Sequence, residues 1–243
     1  MAIIDLANPV RFLRFSARLL PWIAAAAAVT LAIGFYLAFR APADYQQGET
    51  VRIMYIHVPF AWLGLFGYTL MAASSIGILV WRHPLADVAH KAAAPVGATF
   101  TALCLVTGAL WGRPMWGTYW VWDARLTSML VLLLLYLGLM ALRAAIEEPN
   151  RAGRAAAVLT LVGFINVPIV KFSVDWWNTL HQPASVFRMG GSSIDASLLW
   201  PLLVCAIGFT LLFVALHMLG MRTEILRRRV QALEARAAAE ATA

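Results

Sequence analysis

From Leu126 to Ile146 the chain reads LTSMLVLLLLYLGLMALRAAI, with no acid and a single cation, Arg143. A helix needs about 20 mostly apolar residues to cross a bilayer, and this run supplies them. Five further stretches do the same: 20–39, 59–80, 92–110, 155–172 and 196–219. Pro21, Pro59, Pro95 and Pro201 fall near where four of the runs begin, as expected of a residue tolerated in a first helical turn. Hydrophobic residues make up 62% of the chain and charged residues 13%, with a mean hydropathy of +0.76. Soluble domains carry about a quarter charged residues. The sequence therefore predicts an all-α integral membrane protein, a single bundle of six transmembrane helices over 1–243.

The charges orient the bundle. Thirteen Lys and Arg lie before span one, in the 81–91 and 143–154 loops and after span six, against six on the opposite side (Arg40, Arg52, Arg113, Arg125, Lys171, Arg188). Cytoplasmic flanks carry the basic excess, so both termini are placed in the cytoplasm. The net charge of +7 reads as this topology signal, and no nucleic-acid partner is expected. The basic stretches 8–18 and 220–237, the latter in a cytoplasmic tail over 220–243, read as surface helices touching anionic lipid. Ala41-Pro42-Ala43 resembles a cleavage site. A signal peptide has an apolar region of only about 7–15 residues, so the longer run here reads as a retained helix.

Between spans three and four, on the outer face, lies WGRPMWGTYWVWD, 111–123. Ten tryptophans in 243 residues would put about half of one in twelve positions; here there are four, Trp111, Trp116, Trp120 and Trp122. Each buried aromatic side chain hides about 150–250 Å². That surface must meet bilayer, protein or a large flat apolar ligand. Tryptophan belts at membrane interfaces explain single residues such as Trp22, Trp62, Trp81 and Trp200, but not four in a short loop containing glycines and closed by an acid. Gly112 and Gly117 allow a sharp turn or a close approach of that loop to a flat ligand. Gly108 and Gly112 also form a GxxxG spacing, weak evidence of helix pairing at a membrane boundary.

Of five histidines, His83 and His90 are assigned to a cytoplasmic loop and His217 to the cytoplasmic end of span six, as packing or topological residues. His57, in RIMYIHVPFAW, and His181, in WWNTLHQP, share the outer face with the tryptophans. Imidazole is a common axial ligand of haem iron, so two of them beside an indole shelf point to a haem held edge-in above the membrane. Arg52 and Arg125 are the candidates to meet its propionates, since guanidinium grips carboxylate in a fork; pairing of Arg125 with Asp123, or anchoring of span ends, is the plain alternative. Asp123 reads equally as a cap of the next helix and as a ligand contact. Cys104 and Cys205 sit in apolar runs without metal-ligand spacing and read as small hydrophobes.

The pattern Trp111-Gly112, Trp116-Gly117, Trp120-Val121-Trp122-Asp123 resembles the tryptophan-rich "WWD" signature of the haem-handling superfamily. With six spans and the flanking RIMYIHVP and WWNTLHQP, nearly the whole chain resembles its smallest bacterial branch, the haem exporter protein C (cytochrome c maturation protein C) family. The resemblance implies an inner-membrane location with haem b presented on the periplasmic side. His57 and His181 match the family's axial ligands and the 111–125 loop its haem platform, while Arg52, Asp123 and Arg125 occupy supporting positions. It also implies delivery of haem to a periplasmic chaperone (cytochrome c maturation protein E). The other implied partners are the A and B subunits of an ATP-binding-cassette transporter and a small single-span D subunit. On this reading the chain is not itself an enzyme.

Three other functions are weighed against it. Direct attachment of haem to apocytochrome calls for a longer chain with more spans and further histidines. A membrane cytochrome b places its ligands within spans, where buried ionisable groups mark function, and no histidine is central in a span here. A haem-translocating permease subunit needs a polar path, whereas only Thr, Ser and Asn166 occur inside the spans and the charges stay at their ends.

Overall fold

The computed structural model describes residues 8–183 and 185–242, and those residues form helices joined by loops. They are α1 (Pro9–Arg40), α2 (Met54–Trp81, entered through a 3₁₀ turn at Glu49–Ile53), α3 (Pro84–Trp116), α4 (Ala124–Ala145), α5 (Pro149–Gly163), α6 (Asn166–Trp176) and α7 (Ala196–Ala241). Six of the resulting segments are long and apolar enough to cross a membrane, with α5 and α6 together making the fifth. The protein is a multi-pass, all-helical membrane protein.

The helices outrun the apolar stretches because capping, not hydropathy, decides where a helix begins. Asn8 caps α1 by accepting from the backbone N–H of Val10 at 2.8 Å, and Pro9 occupies the first position. The 8–18 stretch is therefore the start of the first spanning helix, not a separate surface helix. Glu148 caps α5 through bonds from Asn150 and Arg151, both 2.7 Å. Asp195 caps α7 through Ser197 at 2.8 Å. Pro21, Pro59, Pro95 and Pro201 consequently lie inside helices rather than at their starts. The tail likewise continues α7 without a break to Ala241; residue 243 and residues 1–7 lie outside the described residues. At 1.5 Å per residue, a helix of 46 residues runs about 69 Å, some twice the hydrocarbon thickness, so α7 extends well beyond the bilayer.

The fifth span is interrupted at Phe164 and Ile165. Pro168 has no N–H to offer the carbonyl of Phe164 four residues back, and its ring crowds that carbonyl. The freed chain turns once and restarts as α6, tied to α4 by Asn166 Nδ2 donating to the Ser128 carbonyl at 2.8 Å.

The core lies among α2, α3, α4, α5 and α7, with Tyr55, Tyr68, Met71, Leu132, Tyr136 and Phe213 fully buried. Tyr136 of α4 reaches between α2 and α3 and donates to the Gly64 carbonyl at 2.8 Å. Gly97 leaves the room: a Cβ there would run into the Tyr136 ring.

At the basic end of the bundle the 81–91 stretch is not a loop. Only Arg82 and His83 connect α2 to α3, and Arg82 closes α2 in the left-handed conformation at φ 48°. His90 is thus a helical residue, fully buried. It accepts from Arg143 Nη2 at 3.2 Å through Nδ1 and donates to Thr160 Oγ1 at 2.8 Å through Nε2, joining α3, α4 and α5. Arg143 also meets Asp87 at 2.6 Å, and Asp87 meets Arg228 of α7 at 2.5 Å.

Candidate functional site

At the opposite end, α3 carries its helix through Trp116 and stops at Gly117, whose φ of 76° gives the left-handed cap that glycine accepts without penalty. Trp111 and Trp116 are therefore helical residues, and the irregular part of the tryptophan segment shrinks to 117–123. Trp120 and Trp122 pack edge to face at 5.3 Å between centroids. Trp122 is 74% exposed, while the indole N–H of Trp120 is buried without a hydrogen-bond partner among the described residues. Trp111 is pinned by its Nε1 donating to Gln47 Oε1 at 3.0 Å.

His57 lies in the first turn of α2 and leans on α3. Its Nδ1 is 3.1 Å from the Cys104 carbonyl and 3.1 Å from Thr107 Oγ1. A carbonyl only accepts, so Nδ1 carries the hydrogen and Nε2 the lone pair. Trp111 meets the ring edge to face at 5.6 Å. Cys104 contributes its backbone; its thiol is buried, in keeping with a packing role.

His181 follows α6 in a loop and is held by Asp123, 58 positions away in sequence, with Nδ1 at 3.2 Å from Oδ2. Thr179 donates to the same oxygen and accepts from the His181 backbone N–H at 3.2 Å. Trp116 meets the imidazole edge to face at 4.9 Å. Asp123 also caps α4, accepting from Leu126 N at 2.8 Å through Oδ1. One carboxylate thus both starts α4 and orients the second imidazole.

The electrostatics separate these two partners. Burial alone would raise the Asp123 carboxyl, but bonds from Thr179, Leu126 N and His181 overturn it and hold it below the ordinary carboxylate range. His181 is pushed below its ordinary 6.5 by burial, which outweighs the opposing pull of Asp123. The imidazole is therefore neutral at pH 7 and the contact is a hydrogen bond rather than an ion pair. A histidine with a depressed folded pKa binds its proton more readily unfolded, so its contribution is complete above 6.5 and is lost as pH falls below that. Thermal unfolding between pH 7.5 and 5.5 should show wild type losing stability faster than H181Q, by up to about 1.4 kcal/mol per pH unit. Parallel slopes would contradict this.

The two imidazoles share surroundings. Trp111 and Trp116, both in the last turns of α3, meet His57 and His181 edge to face at 5.6 Å and 4.9 Å respectively. Arg125 makes no ion pair with Asp123 among the described residues. It donates instead to the Lys171 carbonyl at 3.1 Å and to Ser173 Oγ at 3.3 Å. Arg52 is engaged elsewhere, with Glu49 at 2.8 Å, the Ala41 carbonyl at 3.4 Å and the face of Phe39 at 5.2 Å. The structure brings together His57, His181, Trp111, Trp116, Asp123 and Arg125, and leaves Arg52 one step outside. Gln47, Thr107 and Thr179 belong to the site although sequence reading passed over them. Only Thr179, two residues before His181, carried a local signal.

The fold defines a multi-pass helical membrane protein, with two histidines and the tryptophans that meet them at one end of its bundle. A family model described as heme exporter protein C matches residues 2–236. A heme exporter protein C of Bradyrhizobium diazoefficiens is 70% identical over 234 residues, 96% of this chain and 89% of that protein. Its counterpart in Escherichia coli K12 is 48% identical over 91% of this chain and 90% of its own, and that of Paracoccus denitrificans 46% identical over 97% and 98%. The chain belongs to the heme exporter protein C family.

Proposed function

We propose that this chain binds haem b between His57 and His181, at the periplasmic face of a bacterial inner membrane, and gives it up to a periplasmic haem chaperone for cytochrome c assembly. The relatives' name, heme exporter protein C, supports the haem-handling part. One observation carries the site: each imidazole spends Nδ1 on a protein acceptor, and neither Nε2 has a hydrogen-bond partner among the described residues. Metal-bound histidines are held this way, the second nitrogen fixing tautomer and ring direction. The buried N–H of Trp120, without a partner among the described residues, and the apolar rings of Trp111 and Trp116 also fit a flat, largely apolar macrocycle with polar edges.

When bound, haem would supply an iron centre and a porphyrin edge for transfer. The protein's own work is to hold and release. His57 and His181 would supply the ligating imidazoles, Trp111 and Trp116 would wall the group, and Trp120, Trp122 and the 111–125 segment would form its platform. Arg125 answers the propionate charge, with Arg52 in a more distant role. Exposed Trp122 leaves one side open, which suits a component that must let its ligand go. In this reading the chain is a transfer component rather than an enzyme. It works beside A and B transporter subunits and a single-span D subunit, with membrane lipid around its spans.

The test is an absorption spectrum of the purified protein from haem-replete cells. Wild type should carry a six-coordinate haem spectrum, H57A and H181A should lose haem affinity by about 100-fold or more, and the double variant should be colourless. Colourless wild type, or a double variant that keeps its pigment, would refute the proposal.

A further inference from the structure

We propose that Gly108 and Gly112 are positioning residues for the two histidines: their missing side chains form two notches on α3, one seating the His57 imidazole and the other the Trp116 ring that backs His181. This rests on the haem reading above for its consequence, though not for its geometry. The pair has the GxxxG spacing that often marks close helix–helix contact. Here it lies in the last turns of α3, where the His57 ring of α2 fills the first position and the Trp116 ring of α3 itself fills the second.

A Cβ added at Gly108 would stand 2.9 Å from Cε1, 3.4 Å from Nδ1 and 3.8 Å from Nε2 of His57. The imidazole therefore lies across the bare backbone of α3. Its Nδ1 reaches the Cys104 carbonyl one turn earlier because nothing projects from position 108. A methyl at that position forces the ring outward by several tenths of an ångström, away from Cys104 and Thr107. A Cβ at Gly112 would stand 3.0 Å and 3.2 Å from Cε3 and Cζ3 of Trp116, and 3.3 Å from the Thr118 carbonyl. Trp116 sits four residues on and folds back over that turn, as long helical side chains do. Its other neighbour is the His181 ring at 4.9 Å. Displacing Trp116 moves the surface against which His181 rests.

Ligand groups must be held within about 0.5 Å of productive geometry, and loss of an orienting contact typically costs 10–100-fold in metal affinity. G108A should fall in that range for haem, with the six-coordinate spectrum giving way to a weaker-field one; G112A should lose about tenfold. G138A is the control, since a Cβ there meets nothing within 4 Å. It should keep wild-type haem affinity and spectrum. In haem-free full-length protein, diethyl pyrocarbonate should modify His57 faster in G108A than in wild type, read by peptide mass spectrometry. The thermal midpoint should stay with that of G138A, because alanine favours helix over glycine. Wild-type haem affinity together with a wild-type modification rate in G108A would overturn the proposal.

If G108A does not fold, the H57G background removes the clashing ring. Free imidazole should restore the six-coordinate spectrum in H57G and fail in H57G/G108A; equal rescue overturns the notch. Should wild type take up no haem at all, the function proposed above is lost. The modification arm alone then decides the seating, faster modification in G108A supporting it and an unchanged rate overturning it.

Discussion

Replacing Asp123 by alanine is expected to cost the haem-free protein about 2–3 kcal/mol and at the same time to reduce haem affinity by at least about tenfold. The two losses come from different oxygens of one carboxylate. Oδ1 accepts from Leu126 N and starts α4; removing such a cap costs about 1 kcal/mol. Oδ2 accepts from Thr179 and from His181 Nδ1, and each donor left unsatisfied in a half-buried place adds about 1 kcal/mol. Asparagine separates the effects. Its carbonyl keeps the cap, so D123N should stay within about 1 kcal/mol of wild type. Its amide, however, faces His181 as a donor. The imidazole must then accept at Nδ1 and carry its hydrogen on Nε2, the tautomer that cannot ligate. Serine-protease triads lose activity by the same inversion when aspartate becomes asparagine. Thermal unfolding of haem-free protein and haem absorbance per mole of protein read the two effects independently. D123N with a wild-type spectrum would mean that Asp123 does not set the imidazole.

The sequence made the six spans legible, since a bilayer demands about 20 apolar residues and each span supplies them. It also put His57, His181 and the tryptophans at one end of the bundle, because alternating spans return the chain to the same end without any side-chain geometry. Hydropathy could not reveal backbone continuity. Trp111 and Trp116 looked like loop residues since apolarity falls after Leu110, yet the α3 hydrogen bonds run on until a glycine permits the left-handed cap. Pro168 carried the signal for the break in the fifth span, hidden inside a run that reads as uniformly apolar. The role of Asp123 was half visible: its place before Ala124 announces a cap, but the bond to His181 depends on how a loop 58 residues away folds back. Gly108 was visible as a helix-pairing spacing, but only the packed structure identifies the His57 ring of α2 as what fills its notch. His90 was misassigned for a similar reason. A charged-flank count cannot distinguish a loop from a buried helical turn whose polar atoms are satisfied internally.

That internal satisfaction supports the second prediction, at the end of the bundle away from the histidine site. D87N should destabilise the protein by about 3 kcal/mol while leaving haem affinity at permissive temperature unchanged. Arg143 is 9% exposed and has Asp87 at 2.6 Å as its only ion-pair partner among the described residues. Its Nε is buried with no hydrogen-bond partner among the described residues. A guanidinium does not shed its proton, so removing the carboxylate's charge leaves a buried cation facing His90. Such a loss costs about 3–5 kcal/mol in a dry interior; the 15% exposure of Asp87 argues for the low end. Arg228 tells the opposite story. It is a third exposed and keeps Glu224 at 2.7 Å when Asp87 is gone, so R228A should cost only about 1 kcal/mol. The packing leaves little slack, since a Cβ at Gly153 of α5 would stand 2.6 Å from Asp87 Oδ1. If the damage in D87N is an uncompensated charge and not a lost contact, removing the charge as well should undo much of it. The double variant D87N/R143M should therefore unfold above D87N alone, a non-additivity of about 1–3 kcal/mol for residues in one network. Additive losses, or a D87N midpoint equal to wild type, would mean that water already reaches this cluster and that the clamp across α3, α4 and α7 contributes little.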